Sequence, residues 1–155
     1  MLLRTHLVIA ILVYLLLLPV LPFALAEKII FLIFFLLATV FVDIDSKKSK
    51  IGKHWYLRPL QWVVSHRGIF HTLFFAVILS GVIYYFNKYA GLGFLAGYVL
   101  HLLLDCLTTY GVKLFWPVFN FKISFFIRSG GLIEEIIFVL VLLTDIGLSW
   151  KIFLG

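Results

Sequence analysis

Five apolar stretches parted by short polar segments dominate this chain and leave it few ways to fold. They cover residues 5–26, 29–42, 69–86, 90–108 and a last run from Gly130-Gly131 to Trp150. Apolar runs of about 18 residues read as membrane-crossing helices, because a helix rises about 1.5 Å per residue against a hydrocarbon core of roughly 30 Å. The 155 residues are 64% hydrophobic and 13% charged, whereas soluble domains run about half apolar and about a quarter charged. The expected fold is an all-α integral membrane protein, a bundle of about five transmembrane helices with interfacial loop segments. Residues 1–155 form its single domain, in the inner or plasma membrane. Arg4 and Ala24-Leu25-Ala26 also fit a cleaved signal peptide, which would take His6 with it. The first apolar run is longer than a usual signal core, so it is expected as a retained span.

Short turns are expected at Glu27-Lys28 and Asn87-Lys88. Residues 46–65 carry Lys47, Lys48, Lys50, Lys53, Trp55, Tyr56, Arg58 and Trp62, and residues 111–129 mix aromatics with Lys113, Lys122 and Arg128. Both segments read as interfacial, lying against lipid headgroups; Trp116-Pro117 breaks any helix in the second. His54 is read with the first of them. Gly91, Gly93, Ala96 and Gly97 allow close helix packing in the fourth span.

Five antiparallel spans then fix where the polar residues fall. His6 opens span one, and Asp43 and Asp45 close span two. His66, Arg67 and His71 open span three, His101 and Asp105 close span four, and Glu134 and Glu135 open span five. All of these reach the same face. That face also holds ten of the 13 basic residues, the exceptions being Lys28, Lys88 and Lys151. The positive-inside rule makes it cytoplasmic. The same asymmetry accounts for the net charge of +6 without a nucleic-acid partner.

His101 and Asp105 stand at i, i+4, on one stripe of a helix, a good metal-ligand spacing. The bland reading is a His–Asp pair that ties two helices together. His66 and His71 flank Gly68, where a loop-to-helix bend can turn both inward; otherwise they are interfacial rings. Arg67 is a headgroup anchor or a phosphate clamp between two candidate ligands. Asp45-Ser46 can be turn chemistry, but Asp43 directly follows Phe41-Val42 at the membrane edge, where a carboxylate is costly. Thr108 reads as a helix-end hydroxyl bonding its own backbone, and Asp145 as a helix-end residue at the opposite face. Glu134 and Glu135 point about 100° apart, so at most one can face the cluster. The pair resembles the start of certain intramembrane proteases, but Phe138 and Val139 stand where that pattern expects an arginine.

The metal candidates are therefore His6, Asp43, His66, His71, His101 and Asp105. Mixed imidazole and carboxylate donors suit zinc first, with manganese or iron also served. One ion needs about three protein ligands, so the set can hold one ion or two sharing an aspartate. Cys106 is the single cysteine, which excludes an internal disulfide and a cysteine-based zinc site. No His-Glu-x-x-His occurs, which argues against a zinc protease of that type.

With Thr5-His6, Asp43-Ile44-Asp45, His66-Arg67-Gly68-Ile69-Phe70-His71-Thr72, His101-Leu102-Leu103-Leu104-Asp105, Thr108, Gly111 and Pro117 in place, the chain resembles the YdjM-like family of LexA-regulated bacterial inner-membrane proteins. The resemblance runs over residues 4–117 and implies metal binding and hydrolase activity. Val42 stands where a proline is usual, Phe70 where threonine is common and Thr72 where serine is common; none of these removes a candidate ligand. Zinc-dependent phospholipase C offers a more distant analogy, an all-helical His/Asp cluster.

The leading expectation is a membrane-embedded, metal-dependent hydrolase cleaving a phosphoester in a lipid or lipid-linked substrate, a phospholipase-like activity. Membrane lipids are its partners. Arg67 would neutralise developing charge, and Asp45 or Glu134 would serve as general base. Two rivals stand beside it. A transporter or metal-ion carrier would place polar groups near the midplane and lead them across. A structural membrane protein would use the cluster as interhelical glue.

Overall fold

Proline decides where the first apolar run stops being helical. Helix α1 spans Leu3–Leu17, well short of the expected residue 26, because Pro19 and Pro22 lack the N–H that would continue the ladder. The chain then re-enters helix at once: α2 spans Leu25–Phe41. Glu27, expected in a turn, lies in the first turn of α2, and its Oε2 accepts from the Ala24 N–H at 2.8 Å. Lys28 reaches back to the Leu18 carbonyl at 2.9 Å, so charges read as a linker instead close the α1–α2 corner.

The computed structural model describes residues 1–45 and 68–153, with a 3-10 turn over Val42–Asp45 after α2 and another over Ile69–His71. Thr72 is extended, with φ −121° and ψ 148°. Its hydroxyl accepts from the Phe75 N–H at 3.2 Å, an N-cap that starts α3, Leu73–Phe86. The third helix thus begins four residues later than the apolar run. Asn87 caps α4, Lys88–Cys106, by accepting from the Ala90 N–H at 2.9 Å. Helix α5 spans Leu132–Phe153, with Glu134 and Glu135 in its first turn, where the helix dipole favours negative charge. Between α4 and α5 the chain forms two isolated bridges, Thr108 to Ile127 and Val112 to Ile123. No strand occurs among the described residues.

The helices pack in the order α5, α1, α2, α4, α3. The α2–α4 pair is the spine. A Cβ on Gly93 or Gly97 would collide with the carbonyl oxygen of Phe31 or Phe35, so these glycines let the two backbones touch, as the small-residue pattern anticipates. The contacts advance by one turn on both helices: Gly93 at Phe31, Gly97 at Phe35, then His101 at Thr39. The helices therefore run parallel, and their ends arrive together at Asp43 and Asp105. Ala38, Val42, Ala76, Phe94, Tyr98 and Leu102 form the core on the α3 side; Ala10, Tyr14, Phe31 and Phe35 form one on the α1 side.

The all-α, five-helix expectation holds among the described residues. By length and composition, α4 is the one helix there long and apolar enough to cross a membrane, with α1 and α3 as shorter apolar helices.

Candidate metal centre

The starts of α1 and α3 and the ends of α2 and α4 meet at one end of the bundle, and each delivers a ligand type. His6 comes from the second turn of α1, Asp43 from the turn closing α2, His71 from the turn before α3, and His101 and Asp105 from the last two turns of α4. His6, His71 and His101 are fully buried and Asp105 is 2% exposed. The Asp43 side chain, at 17%, forms the rim.

Local hydrogen bonds fix the rings. His6 Nδ1 lies 3.2 Å from the Leu2 carbonyl, and His101 Nδ1 lies 2.8 Å from the Thr39 carbonyl. A carbonyl only accepts, so both rings carry a proton on Nδ1, which in the neutral imidazole leaves Nε2 bare. The rings stack, with centroids 4.2 Å apart and planes 23° apart. His71 sits edge-on to His101 at 5.7 Å. The turn carrying His71 is held by the Tyr98 hydroxyl, which donates to the Phe70 carbonyl, and by Thr72, which donates to the Ile69 carbonyl at 2.8 Å.

The Nε2 atoms face carboxylate oxygens. His6 Nε2 is 3.6 Å from Asp105 Oδ1; His71 Nε2 is 3.6 Å and His101 Nε2 is 3.8 Å from Asp105 Oδ2; His101 Nε2 is also 3.9 Å from Asp43 Oδ1. These separations are too long for hydrogen bonds. Neither His6 Nε2 nor His101 Nε2 has a hydrogen-bond partner among the described residues. For the Nδ1-protonated rings of His6 and His101, lone pairs aimed at an anion in a buried site repel unless positive charge lies between them. The Met1 nitrogen lies 2.9 Å from Asp105 Oδ1.

The buried histidines and aspartates could therefore hold a metal ion. Two sets of donor atoms lie within 4.8 Å of one another, His6–His101–Asp105 and Asp43–His71–His101. They share His101. With Nδ1 committed to Thr39, that residue has one nitrogen to give, and one nitrogen binds one ion at a time. The carbonyl partners of His6 and His101 are the outer hydrogen bonds that orient metal-bound imidazoles elsewhere.

Of the sequence-predicted residues, His6, Asp43, His71, His101 and Asp105 come together. His66, Arg67 and the expected interfacial segment 46–65 lie outside the described residues, as does the side chain of Asp45. Glu134 has a different occupation from the one expected. It is 1% exposed, and its carboxylate accepts from the Leu2 N–H at 2.6 Å and the Gly130 N–H at 2.7 Å. Both carboxylate oxygens thus serve the backbone at the start of α1 and ahead of α5. Thr108 donates to the Asp105 carbonyl at 2.7 Å, the helix-end bond expected of it. Sequence reasoning missed Tyr98, Thr39 and Leu2. Thr39 had a visible signal, four residues before Asp43 in the sequence, in the last turn of α2. The Leu2 and Thr39 contributions are main-chain carbonyls, which side-chain identity does not reveal.

A family described as YdjM inner membrane protein matches residues 1–153. The inner membrane protein YdjM of Escherichia coli (strain K12) is 30% identical over 106 residues, 62% of this chain and 54% of that protein. YvsG of Bacillus subtilis (strain 168) is 28% identical over 100 residues, 61% of this chain and 62% of that one. The chain thus aligns with little more than half the length of these curated relatives. No solved structure matches it. The match over nearly every residue places the chain in the YdjM family of inner membrane proteins.

Proposed function

We propose that the protein is a membrane-embedded, metal-dependent hydrolase that cleaves a phosphoester in a lipid or lipid-linked substrate. The observation that carries this reading is the buried convergence of three imidazoles on Asp105, with the bare nitrogens of His6 and His101 turned toward its carboxylate. His6, His71, His101 and Asp105 would hold one divalent cation, zinc first, with Asp43 at the rim and His66 as a further donor. Such a cation supplies Lewis acidity toward a phosphoryl oxygen and toward water. Arg67, next to the His71 turn in sequence, offers a planar fork matched to phosphate oxygens. Asp45, two residues beyond Asp43, would take the proton from the attacking water.

The substrate class follows from placement. His6, His101 and Asp105 lie within the end turns of apolar helices, and Asp43 and His71 lie in the short turns directly against α2 and α3. A lipid reaches such a depth by lateral diffusion with its phosphate at headgroup level; a soluble ester gains nothing from it. Phe115, Trp116, Phe119, Phe121, Phe125 and Phe126 are exposed on the segment after α4, beside Lys113, Lys122 and Arg128, a composition suited to a membrane interface. In this reading all five helices cross the membrane, and the cluster faces the cytoplasm.

The test is metal content and turnover of the purified protein in liposomes, wild type against His101→Ala. Bound divalent metal that His101→Ala loses, with metal-dependent release from lipid phosphoesters, is expected. Turnover of soluble acyl esters alone would reject the phosphoester assignment. Metal flux without turnover would favour a carrier, and an absence of bound metal would reduce the cluster to interhelical glue.

A further inference from the structure

Glu134 touches none of the five clustered side chains through any bond described above, yet among the described residues it is the most completely buried carboxylate, at 1% exposure. Its two oxygens accept from two main-chain N–H groups, Leu2 at 2.6 Å and Gly130 at 2.7 Å. Gly130 leads into α5. Leu2 is the residue from which α1 starts, with φ −70° and ψ 145°. Its N–H is one of the donors that a helix start leaves without an intrahelical partner. The Leu2 carbonyl accepts from the Thr5 and His6 N–H groups at 3.0 and 3.2 Å and also from His6 Nδ1 at 3.2 Å. One residue thus joins Glu134 on its nitrogen side to the His6 ring on its oxygen side.

Resting on the metal-centre reading, we infer that Glu134 is a positioning residue: it fixes the Leu2 backbone so that the Leu2 carbonyl holds His6 with its proton on Nδ1 and its Nε2 toward Asp105. Bonds from N–H to a buried carboxylate are short and strong, so α1 cannot rotate or slide at its start without breaking one. His6 sits one turn further on, where its ring stacks on His101. A small rotation of α1 would take Nε2 away from Asp105. The neighbouring contacts between the same two helices, the Arg4–Glu135 ion pair and Arg4 over the Phe138 ring, are on the exposed side. They tether α1 to α5 without reaching the His6 ring, and this makes them the internal control.

The experiment uses the full-length protein in detergent, with Co²⁺ as the probe and ¹⁵N-histidine labelling. Glu134→Ala should weaken Co²⁺ binding by about 10- to 100-fold, the usual cost of losing an outer partner of a metal ligand. Glu134→Gln, which keeps one acceptor, should fall between it and wild type. Arg4→Ala should leave affinity unchanged. In a His6→Ala background, Glu134→Ala should cost nothing further, because its effect passes through a ring that is gone. In metal-free protein, Glu134→Ala should shift the His6 ring nitrogens away from the Nδ1-protonated pattern and leave those of His101 in place. Equal losses in both backgrounds, an equal loss from Arg4→Ala, or unmoved His6 signals would each overturn the inference. Failure of wild type to bind Co²⁺ would instead overturn the hydrolase reading, and the metal-free spectra would still decide the role of Glu134.

Discussion

Gly97→Ala tests the central claim of the fold, that backbone contact between α2 and α4 sets the ligands in place. Two terms oppose each other. Alanine is the better helix former by about 0.8–1.0 kcal/mol in a helix interior. Against that, the new methyl meets the Phe35 carbonyl and its neighbouring backbone atoms. Overpacking costs typically about 1–3 kcal/mol, and the upper part of that range applies because the obstacle is main chain that no rotamer change can move. The net expectation is a destabilisation of about 1–2 kcal/mol after subtracting the propensity gain. Gly81→Ala is the matched control. Gly81 lies inside α3, and a Cβ there has nothing within 4 Å, so only the favourable term, at most about 1 kcal/mol, operates. The site should feel the first change as well. His101 lies one turn beyond Gly97, and its 2.8 Å bond to the Thr39 carbonyl lengthens if the helices part. Reversible unfolding in detergent, with cobalt titration on the same samples, measures both effects. If Gly97→Ala is as stable as Gly81→Ala and binds cobalt as wild type does, the close-contact argument is wrong.

Asp105→Asn replaces the carboxylate that three imidazoles face; cobalt affinity should fall by more than about 100-fold, beyond the cost of losing an outer hydrogen-bond partner, and a loss under tenfold would count against a ligand role. Tyr98→Phe removes the hydroxyl donated to the Phe70 carbonyl and should cost about 1–3 kcal/mol in unfolding free energy by leaving a buried acceptor short of a donor, with the His71 ring signals displaced in the NMR spectrum. Arg4→Ala breaks an ion pair whose side chains are 46% and 41% exposed, so the stability change should stay below about 1 kcal/mol; a larger change would mean that the pair is screened from solvent.

The helices were legible in the sequence because apolar length is a strong signal, and their ends were less so because ends are set by local chemistry. Pro19 and Pro22 were visible, yet their power to end α1 at Leu17 was underrated against the continuing apolar run. Thr72 as a cap was hidden in a motif read for its histidines. The convergence of His6, Asp43, His71, His101 and Asp105 followed from alternation of helix direction alone, since every odd helix starts and every even helix ends on one side. What alternation cannot tell is which oxygen meets which nitrogen, or that Glu134 spends its charge on two peptide N–H groups. Such commitments depend on main-chain positions, which residue type encodes weakly.

The paired stepping of α2 and α4 has a consequence for how the gene can change length. One residue added between Gly97 and His101 would turn everything after it by about 100° and advance it by about 1.5 Å. His101 would leave Thr39, and Asp105 would leave the His6 and His71 rings. A deletion there would do the same in the opposite sense. Four residues added would come within about 40° of a full turn, but would carry both ligands about 6 Å past Asp43. Neither helix can absorb a frame-preserving insertion within this interval, whereas the segment between Cys106 and Leu132 carries no ligand of the cluster. Length variation compatible with the centre should therefore collect outside the stretches 31–43 and 93–105, whatever happens to residue identity within them.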